Sequence, residues 1–93
     1  EAMNFSAGAD LNTMISLADQ SDWAGIDKYL SHFQGVCRKM KYASKPTVSA
    51  VAGLAIGGGF EVACQTSRMV AHMNSTLGLV ETGVGLVPGG GGM

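Results

Sequence analysis

The sequence predicts an α/β fold, and three observations lead to this prediction. Apolar residues recur at helical spacing through the first half of the chain. Short apolar and β-branched runs follow in the second half, bounded by turn residues. A glycine triplet separates the first of these runs from a short segment with helical character. Helices and strands that alternate in this way are typical of α/β domains.

The first half of the chain predicts a strand end followed by two helices. Residues 2–7 are predicted to end a strand, and Gly8 to make the bend that follows. Asp10 is placed to cap a helix, and Asp22 to cap a second, longer helix that ends by Ser44 because Pro46 disfavours helical geometry at the preceding residue. The apolar positions of the longer helix are spaced by three and four and predict one buried stripe: Trp23, Ile26, Leu30, Phe33, Cys37 and Met40. Trp23 and the methionines are expected to fill the core.

The second half predicts strands joined by tight turns. Residues 47–51 are predicted to form a buried strand, followed by the glycine turn and a short helix at 60–65. Two more strands are predicted at 68–72 and 76–79, on either side of a turn at Asn74 and Ser75. Residues 53–59 (GLAIGGG) and 85–91 (GLVPGGG) are loosely similar. This similarity fits a repeated strand-strand-helix spiral.

The run from Val51 to Glu61 (VAGLAIGGGFE) is the strongest indication of function. A glycine N–H can approach a ligand atom closely, and at the start of a helix it also lies at the positive end of the helix dipole. The triplet Gly57, Gly58 and Gly59 lacks the Lys-Ser/Thr of a phosphate-binding loop and the spacing of a dinucleotide site. Glu61 in the first helical turn would repel phosphate, whereas a carboxylate beside a polarised carbonyl suits acid/base chemistry.

Each of these features also has a simpler explanation. The triplet could be only a tight strand-to-helix turn, with Glu61 complementing the helix dipole. Residues 89–92 could be a flexible tail, and Glu81 a surface glutamate. Charged residues make up only 14% of the chain, and two glutamates set among glycines are poorly explained as ordinary surface. In combination these features predict an active site.

Three motifs together resemble the enoyl-CoA hydratase/isomerase (crotonase) superfamily: residues 4–11 (NFSAGADL), 45–61 (KPTVSAVAGLAIGGGFE) and 78–92 (GLVETGVGLVPGGGG). More narrowly, the chain is similar to the crotonase domain of bacterial bifunctional 3-hydroxyacyl-CoA dehydrogenases. The resemblance implies a crotonase (ClpP/crotonase-like) spiral of strand-strand-helix units. It also implies that residues 1–93 are the central part of a single domain, without its N-terminal strands and C-terminal helices.

The resemblance implies a role for individual residues. The backbone N–H groups of Ala9 and Gly58 would form an oxyanion hole for the thioester oxygen. Glu61 and Glu81 match the two acidic residues that grip a water molecule and share the acid and base roles, and Gly89 matches a backbone position that holds this water. Three further residues match the segment that lines the path of coenzyme A: Ala7, Asp10 and Leu11.

The function implied by the resemblance is hydration of trans-2-enoyl-CoA thioesters to 3-hydroxyacyl-CoA in fatty-acid β-oxidation. The alternatives are an enoyl-CoA double-bond isomerase, in which Glu81 alone moves the proton, and a non-catalytic acyl-CoA-binding segment. No cofactor is expected in this chain, because NAD would bind a separate dehydrogenase domain. The full-length protein is expected to be a homo-oligomer.

The composition of the chain limits the classes of binding partner that we expect. The net charge of −1 and the pI near 6.1 do not favour nucleic acid or an anionic membrane surface. The longest uncharged apolar stretch, residues 46–60, is shorter than the roughly 20 residues that span a bilayer.

Cys37 and Cys64 lie in apolar contexts without Cys-x-x-Cys spacing, and we expect buried free thiols in a reducing, cytoplasmic compartment. His32 and His72 have no partners at metal-ligand spacing, and no metal site is expected. The cationic cluster at residues 38–41 is expected to be a solvated helix end or, alternatively, to meet coenzyme A phosphates.

Overall fold

A computed structural model of the chain describes residues 3–91, so Ala2 of the predicted strand end and Gly92 of the glycine run lie outside the described residues. Helices and strands alternate along these residues as expected for an α/β fold. The elements in chain order are α1 (Leu11–Asp19), α2 (Trp23–Lys41), β1 (Val48–Val51), β2 (Leu54–Ile56), α3 (Gly58–Cys64), β3 (Arg68–Ala71), β4 (Thr76–Gly78) and a 3-10 helix (Glu81–Val84).

Both predicted helix caps are confirmed. Asp10 accepts a hydrogen bond from the N–H of Asn12 at 3.0 Å, and Asp22 accepts one from the N–H of Gly25 at 2.9 Å. Each bond satisfies a backbone donor that the first turn of a helix leaves without a partner. The longer helix ends at Lys41, before Ser44 as predicted. Among residues 3–91, no helix combines the length and the hydropathy needed to cross a bilayer.

The prediction of one continuous buried stripe on α2 is wrong. Cys37 is the buried residue of this helix, whereas Trp23 is 64% exposed. Phe33 and Cys37 lie against the glycines that follow the strands, and α1 also packs against α2, so the other apolar positions of the stripe are half-buried. Helical spacing shows which side chains share a face, but burial requires a neighbouring element. Met3 and Met73 are likewise exposed, so the expectation that the methionines fill the core is wrong for these two.

The strands form two parallel pairs. β1 pairs with β3, with Ala50 opposite Val70, and β2 pairs with β4, with Ala55 opposite Leu77. The strands predicted at 47–51, 68–72 and 76–79 are confirmed to within one residue at each end. Separate formation of β2 was not predicted. A strand, a turn and a second strand are therefore repeated and stacked in parallel, as expected for the spiral.

A glycine makes the corner between β1 and β2. Gly53 has a φ of +66°, and a Cβ at this position would overlap the carbonyl oxygen of Met3. The chain therefore changes direction sharply where residues 47–56 look like one continuous apolar run in sequence. Two strands form there because only glycine adopts this conformation without strain.

The predicted burial of β1 is correct for one face only. Ser49 and Val51 are buried, but Val48 is 63% exposed and Ala50 is exposed as well. Successive side chains of a strand point to opposite faces, so a strand is buried on both sides only between two layers. In residues 3–91, the core on the covered side contains Val51, Ala55 and Ala63, with Phe5 and Met69 packed against it.

The segment predicted as a strand end at residues 2–7 makes a single parallel bridge, so this prediction is wrong in extent. Ser6 donates to the carbonyl of Leu54 at 2.9 Å and accepts from the N–H of Ile56 at 3.1 Å. The following turn at Gly8 prevents a longer ladder. The bridge nevertheless holds residues 6–9 beside the end of β2 and the start of α3.

We predict that Asp22→Ala lowers the free energy of unfolding by about 1 kcal/mol, because the N–H of Gly25 loses its acceptor. The thermal midpoint of the intact protein measures this change. Asp27→Ala is the matched control, since it removes the same charge from an exposed position within the same helix. Equal midpoints for the two variants would contradict a stabilising role of the cap.

Candidate active site

Residues 6–9 pass very close to the turn between β2 and α3. Gly8 has a φ of +94°, and a Cβ added there would lie 3.1 Å from the oxygen of Ile56 and 3.3 Å from the nitrogen of Gly58. A Cβ on Gly59 would overlap Ser6. The two segments approach each other because glycine stands on both sides of the contact.

This contact brings together the two amides expected to form an oxyanion hole. The nitrogen of Ala9 lies 3.7 Å from the position that a Cβ on Gly58 would occupy. Within residues 3–91, neither the Ala9 N–H nor the Gly58 N–H donates to a protein acceptor. Both residues line a cavity of about 250 Å³ whose walls are Phe5, Ser6, Gly8, Ala9, Tyr29, Phe33, Gly58, Gly59 and Val62. The site therefore combines backbone donors with a mainly apolar wall.

Glu61 is buried in the first turn of α3. It is 2% exposed, and its Oε1 accepts hydrogen bonds from the N–H groups of Gly90 at 3.0 Å and Gly91 at 3.3 Å. Its own N–H donates to the carbonyl of Gly57 at 3.0 Å. A charged side chain can be buried in this way when hydrogen bonds compensate the loss of water. Glu61 does not line the cavity, although its neighbours Gly59 and Val62 do.

Glu81 lies at the first position of the 3-10 helix, and its side chain approaches the glycine turn between β2 and α3. Its Oε1 is 3.2 Å from the position that a Cβ on Gly57 would occupy. Its Oε2 is buried and has no hydrogen-bond partner among residues 3–91. Buried polar atoms without a partner are uncommon in native proteins. Glu81 is therefore the carboxylate with open acceptor capacity next to Gly57 and Gly58.

The glycine segment, residues 89–91, is held in place and is not a free tail within the described residues. The side-chain nitrogen of Gln34 donates to the carbonyl of Gly89 at 2.6 Å. The side-chain nitrogen of Gln65 donates to the carbonyl of Gly91 at 3.0 Å. Gly89 was expected to hold a water molecule through its backbone. The bond from Gln34 engages its carbonyl, and the next two amides bind Glu61, so a role of the Gly89 backbone in holding water stays a prediction.

Two residues that sequence reasoning missed are Gln34 and Gln65. Neither belongs to a motif or to the apolar stripe, and no pattern in the sequence shows that an exposed helical glutamine reaches a segment more than fifty residues away. The role of Phe33 was also not foreseen, although its place in the stripe was. Its ring lies against Gly58 and Gly90 and so contacts both sides of the site.

The three residues expected along the coenzyme A path adjoin the cavity without lining it. Both carboxylate oxygens of Asp10 hold the start of α1, through the N–H of Asn12 and, at 2.9 Å, the hydroxyl of Thr13. Ala7 is exposed, and Leu11 is 46% exposed. A role of these residues in binding stays a prediction.

The expectation of two buried thiols is correct for Cys37 and wrong for Cys64, which is exposed. Cys64 is the last residue of α3 and follows the buried core residue Ala63. Partial burial is the larger cause that raises the pKa of the Cys64 thiol, and the negative charge of Glu61 adds to it. Among residues 3–91, no three His, Cys, Asp or Glu side chains are grouped to hold a metal ion.

We predict that Glu61→Gln increases the rate at which iodoacetamide alkylates Cys64 at pH 8. The thiolate is the reactive form, and a raised pKa lowers its fraction, so removing the charge of Glu61 lowers the pKa and raises that fraction. The rate is measured by mass spectrometry of the peptide containing Cys64. Glu81→Gln is the matched control and should leave the rate unchanged. Equal rates in all three proteins would show that Glu61 does not act on this thiol.

We predict that Gly90→Ala destabilises the protein by about 1–3 kcal/mol, the usual cost of overpacking. A Cβ at Gly90 would overlap the Phe33 ring and lie 2.7 Å from Oε2 of Glu61. Gly83→Ala is the control, because a Cβ there meets nothing within 4 Å. Thermal unfolding of both variants provides the measurement. A midpoint for Gly90→Ala as high as that for Gly83→Ala would place the glycine segment away from Phe33.

Comparison with known proteins identifies the family of this chain. Residues 2–93 match the family described as enoyl-CoA hydratase/isomerase. The chain is similar to a Bacillus subtilis (strain 168) protein named "Probable 3-hydroxyacyl-CoA dehydrogenase", with 38% identity over 92 residues that cover 99% of the chain and 12% of that protein. It is also similar to human mitochondrial methylglutaconyl-CoA hydratase, with 35% identity over 95% of the chain and 25% of that protein.

A solved structure shows the same fold. The crystal structure of an enoyl-CoA hydratase from Polaromonas sp. JS666 superposes with a TM-score of 0.92 and 27% identity, over 99% of this chain and 35% of that one. The chain thus spans about a third of this structure and about an eighth of the Bacillus relative. The paired parallel strands, the glycine turn and the family match lead to one conclusion: this chain belongs to the enoyl-CoA hydratase/isomerase family and contains part of its crotonase fold.

Proposed function

We propose that the protein containing this chain hydrates trans-2-enoyl-CoA thioesters to 3-hydroxyacyl-CoA in fatty-acid β-oxidation. The observation that carries the proposal is that two glutamates contact one glycine turn, Glu61 through its backbone N–H and Glu81 through its carboxylate. The N–H of Glu61 binds the carbonyl of Gly57, and Oε1 of Glu81 lies 3.2 Å from the position that a Cβ on the same glycine would occupy. The amide of Gly58 follows directly. Two carboxylates beside a backbone donor are what hydration of a thioester requires.

The backbone donors would stabilise the charge that develops during the reaction. Addition of water to the double bond places negative charge on the thioester oxygen. The N–H groups of Ala9 and Gly58 have no acceptor within the described residues, and the cavity that they line has mainly apolar walls. Loss of one such donor typically costs about 3–4 kcal/mol of transition-state stabilisation.

The carboxylates would transfer the protons. Hydration adds the oxygen of water to the β-carbon and a proton to the α-carbon, so one group must accept a proton from water and another must deliver one. Glu61 and Glu81 share these two roles in the proposal. Glu81 has an unpartnered buried oxygen in the described structure, and Glu61 is held by two amides. The two acids therefore have different environments, as a division of acid and base roles requires.

The same contrast favours a second candidate function, isomerisation of the enoyl double bond. This reaction moves a proton from one carbon to another of the same conjugated system, and a single carboxylate suffices. Glu81 alone could perform it, since Oε1 of Glu61 already accepts two hydrogen bonds. The two functions therefore differ in whether Glu61 is needed.

The remaining parts of the proposal concern the whole protein. We assign the chain to the hydratase part of a bifunctional hydratase/3-hydroxyacyl-CoA dehydrogenase, in line with the name of the Bacillus relative. The substrate is an acyl-CoA thioester, and neither reaction step uses a cofactor bound to this chain. NAD would serve a separate dehydrogenase domain. We further propose a cytoplasmic homo-oligomer.

The test measures loss of the conjugated-thioester absorbance of crotonyl-CoA by the intact protein and by its Glu61→Gln variant. Glutamine keeps an oxygen that can accept from Gly90 and Gly91, so the glycine segment retains its bonds while the carboxylate is lost. We expect the hydration rate to fall at least ~100-fold. Isomerisation of a trans-3-enoyl-CoA by the same variant should largely persist.

Glu81→Gln is the companion variant and should lose both reactions. Hydration untouched by Glu61→Gln would rule out the assignment of that residue and favour the isomerase. A folded intact protein that binds the thioester but neither hydrates nor isomerises it would support the non-catalytic alternative.

A further inference from the structure

The carbonyl groups of the glycine segment are held by two glutamines from different helices. Gln34 of α2 binds the carbonyl of Gly89, and Gln65, directly after α3, binds the carbonyl of Gly91. The nitrogen of Gln65 also donates to the backbone carbonyl of Glu61 at 3.1 Å. An amide nitrogen carries two hydrogens, so both bonds of Gln65 can form together. This side chain connects the helix that bears Glu61 with the segment that binds its carboxylate.

The backbone groups of the glycine segment both accept and donate hydrogen bonds. The carbonyls at both of its ends accept from the glutamines, and the amides of Gly90 and Gly91 donate to Oε1 of Glu61. Glycines have few conformational restraints of their own, so the direction of these amides depends on the bonds at either end. Contact of Gly90 with the Phe33 ring limits sideways movement.

We infer that Gln34 and Gln65 are positioning residues for Glu61. By holding the carbonyls of Gly89 and Gly91, they keep the intervening amides on Oε1 and so set the direction of the Glu61 carboxylate. This inference rests on the proposed function, in which Glu61 handles the water molecule. Neither glutamine contacts the cavity beside Ala9 and Gly58, so their effect reaches the reaction through Glu61.

The inference predicts that the glutamines affect hydration but not isomerisation. A carboxylate that turns away from its reacting position loses rate, and misplacement by about 1 Å can cost as much as 100-fold. Substrate binding at the oxyanion amides does not depend on the glutamines. A glutamine variant should therefore lower kcat for hydration with little change in KM. Isomerisation through Glu81 should be spared.

The experiment substitutes each glutamine by glutamate in the intact protein. Gln65→Glu places a negative charge of similar shape beside two carbonyl oxygens, which removes both donated bonds. Gln34→Glu does the same at a single carbonyl from an exposed position. Gln20→Glu is the matched control, because the side chain of this exposed glutamine after α1 bonds only to Ser16 in the described structure.

We expect Gln65→Glu to lower kcat for crotonyl-CoA hydration by about 10- to 100-fold, with KM within about twofold of the unsubstituted protein. Gln34→Glu should show a smaller decrease in the same parameter, and Gln20→Glu none. The ratio of hydration to isomerisation should fall with kcat. General damage to the fold would lower both reactions together, so this ratio separates positioning from damage.

Two results would overturn the inference. One is hydration that depends on Glu61 but persists within twofold in both glutamine variants. The other is an equal loss of hydration and isomerisation in Gln34→Glu, which decides the question if Gln65→Glu does not fold. An unsubstituted protein that does not hydrate crotonyl-CoA, or that is indifferent to Glu61→Gln, would instead contradict the proposed function itself.

Discussion

The site depends on the buried carboxylate of Glu61 and the two amides that it accepts from. A carboxylate that is 2% exposed needs hydrogen bonds to replace its lost hydration, and Gly90 and Gly91 provide them. The same bonds attach the glycine segment to α3, and Gln65 directly after this helix adds a further bond to Gly91. Chemistry and architecture are therefore linked at one side chain: the group proposed to handle water also holds a wall of the site together.

Close approach of backbone to backbone is the second constraint. The segment at Gly8 and the turn at Gly57–Gly59 lie very close to each other. Cβ atoms added to Gly8 or Gly59 would contact the neighbouring segment, and a Cβ added to Gly57 would contact the Glu81 carboxylate. This proximity brings the Ala9 and Gly58 amides to one cavity and leaves Glu81 beside Gly57. Glycine therefore serves three purposes here, since it permits the turns, admits the neighbouring backbone and leaves amides uncovered by side chains.

Burial in the described chain is concentrated around this site. The buried apolar residues Val51, Ala55 and Ala63 belong to β1, β2 and α3, while Trp23, Val48 and Val70 are largely exposed. The solved enoyl-CoA hydratase described above is about three times as long as this chain, so its fold contains further elements. The spacing of apolar residues in the sequence predicts that they share one face of an element. Burial of that face requires a second element packed against it.

The sequence by itself determined the local structure: both helix caps, the ends of α2, the positions of three strands and the glycine turn before Glu61. These features depend on neighbours within a few residues, which is why spacing and turn chemistry predict them. Tertiary structure decided the corner at Gly53, the single bridge of Ser6, the exposure of Trp23 and the bonds that Gln34 and Gln65 make to the glycine segment. Each of these depends on which distant segment lies alongside, and a sequence pattern that repeats over a few residues carries no information about that choice.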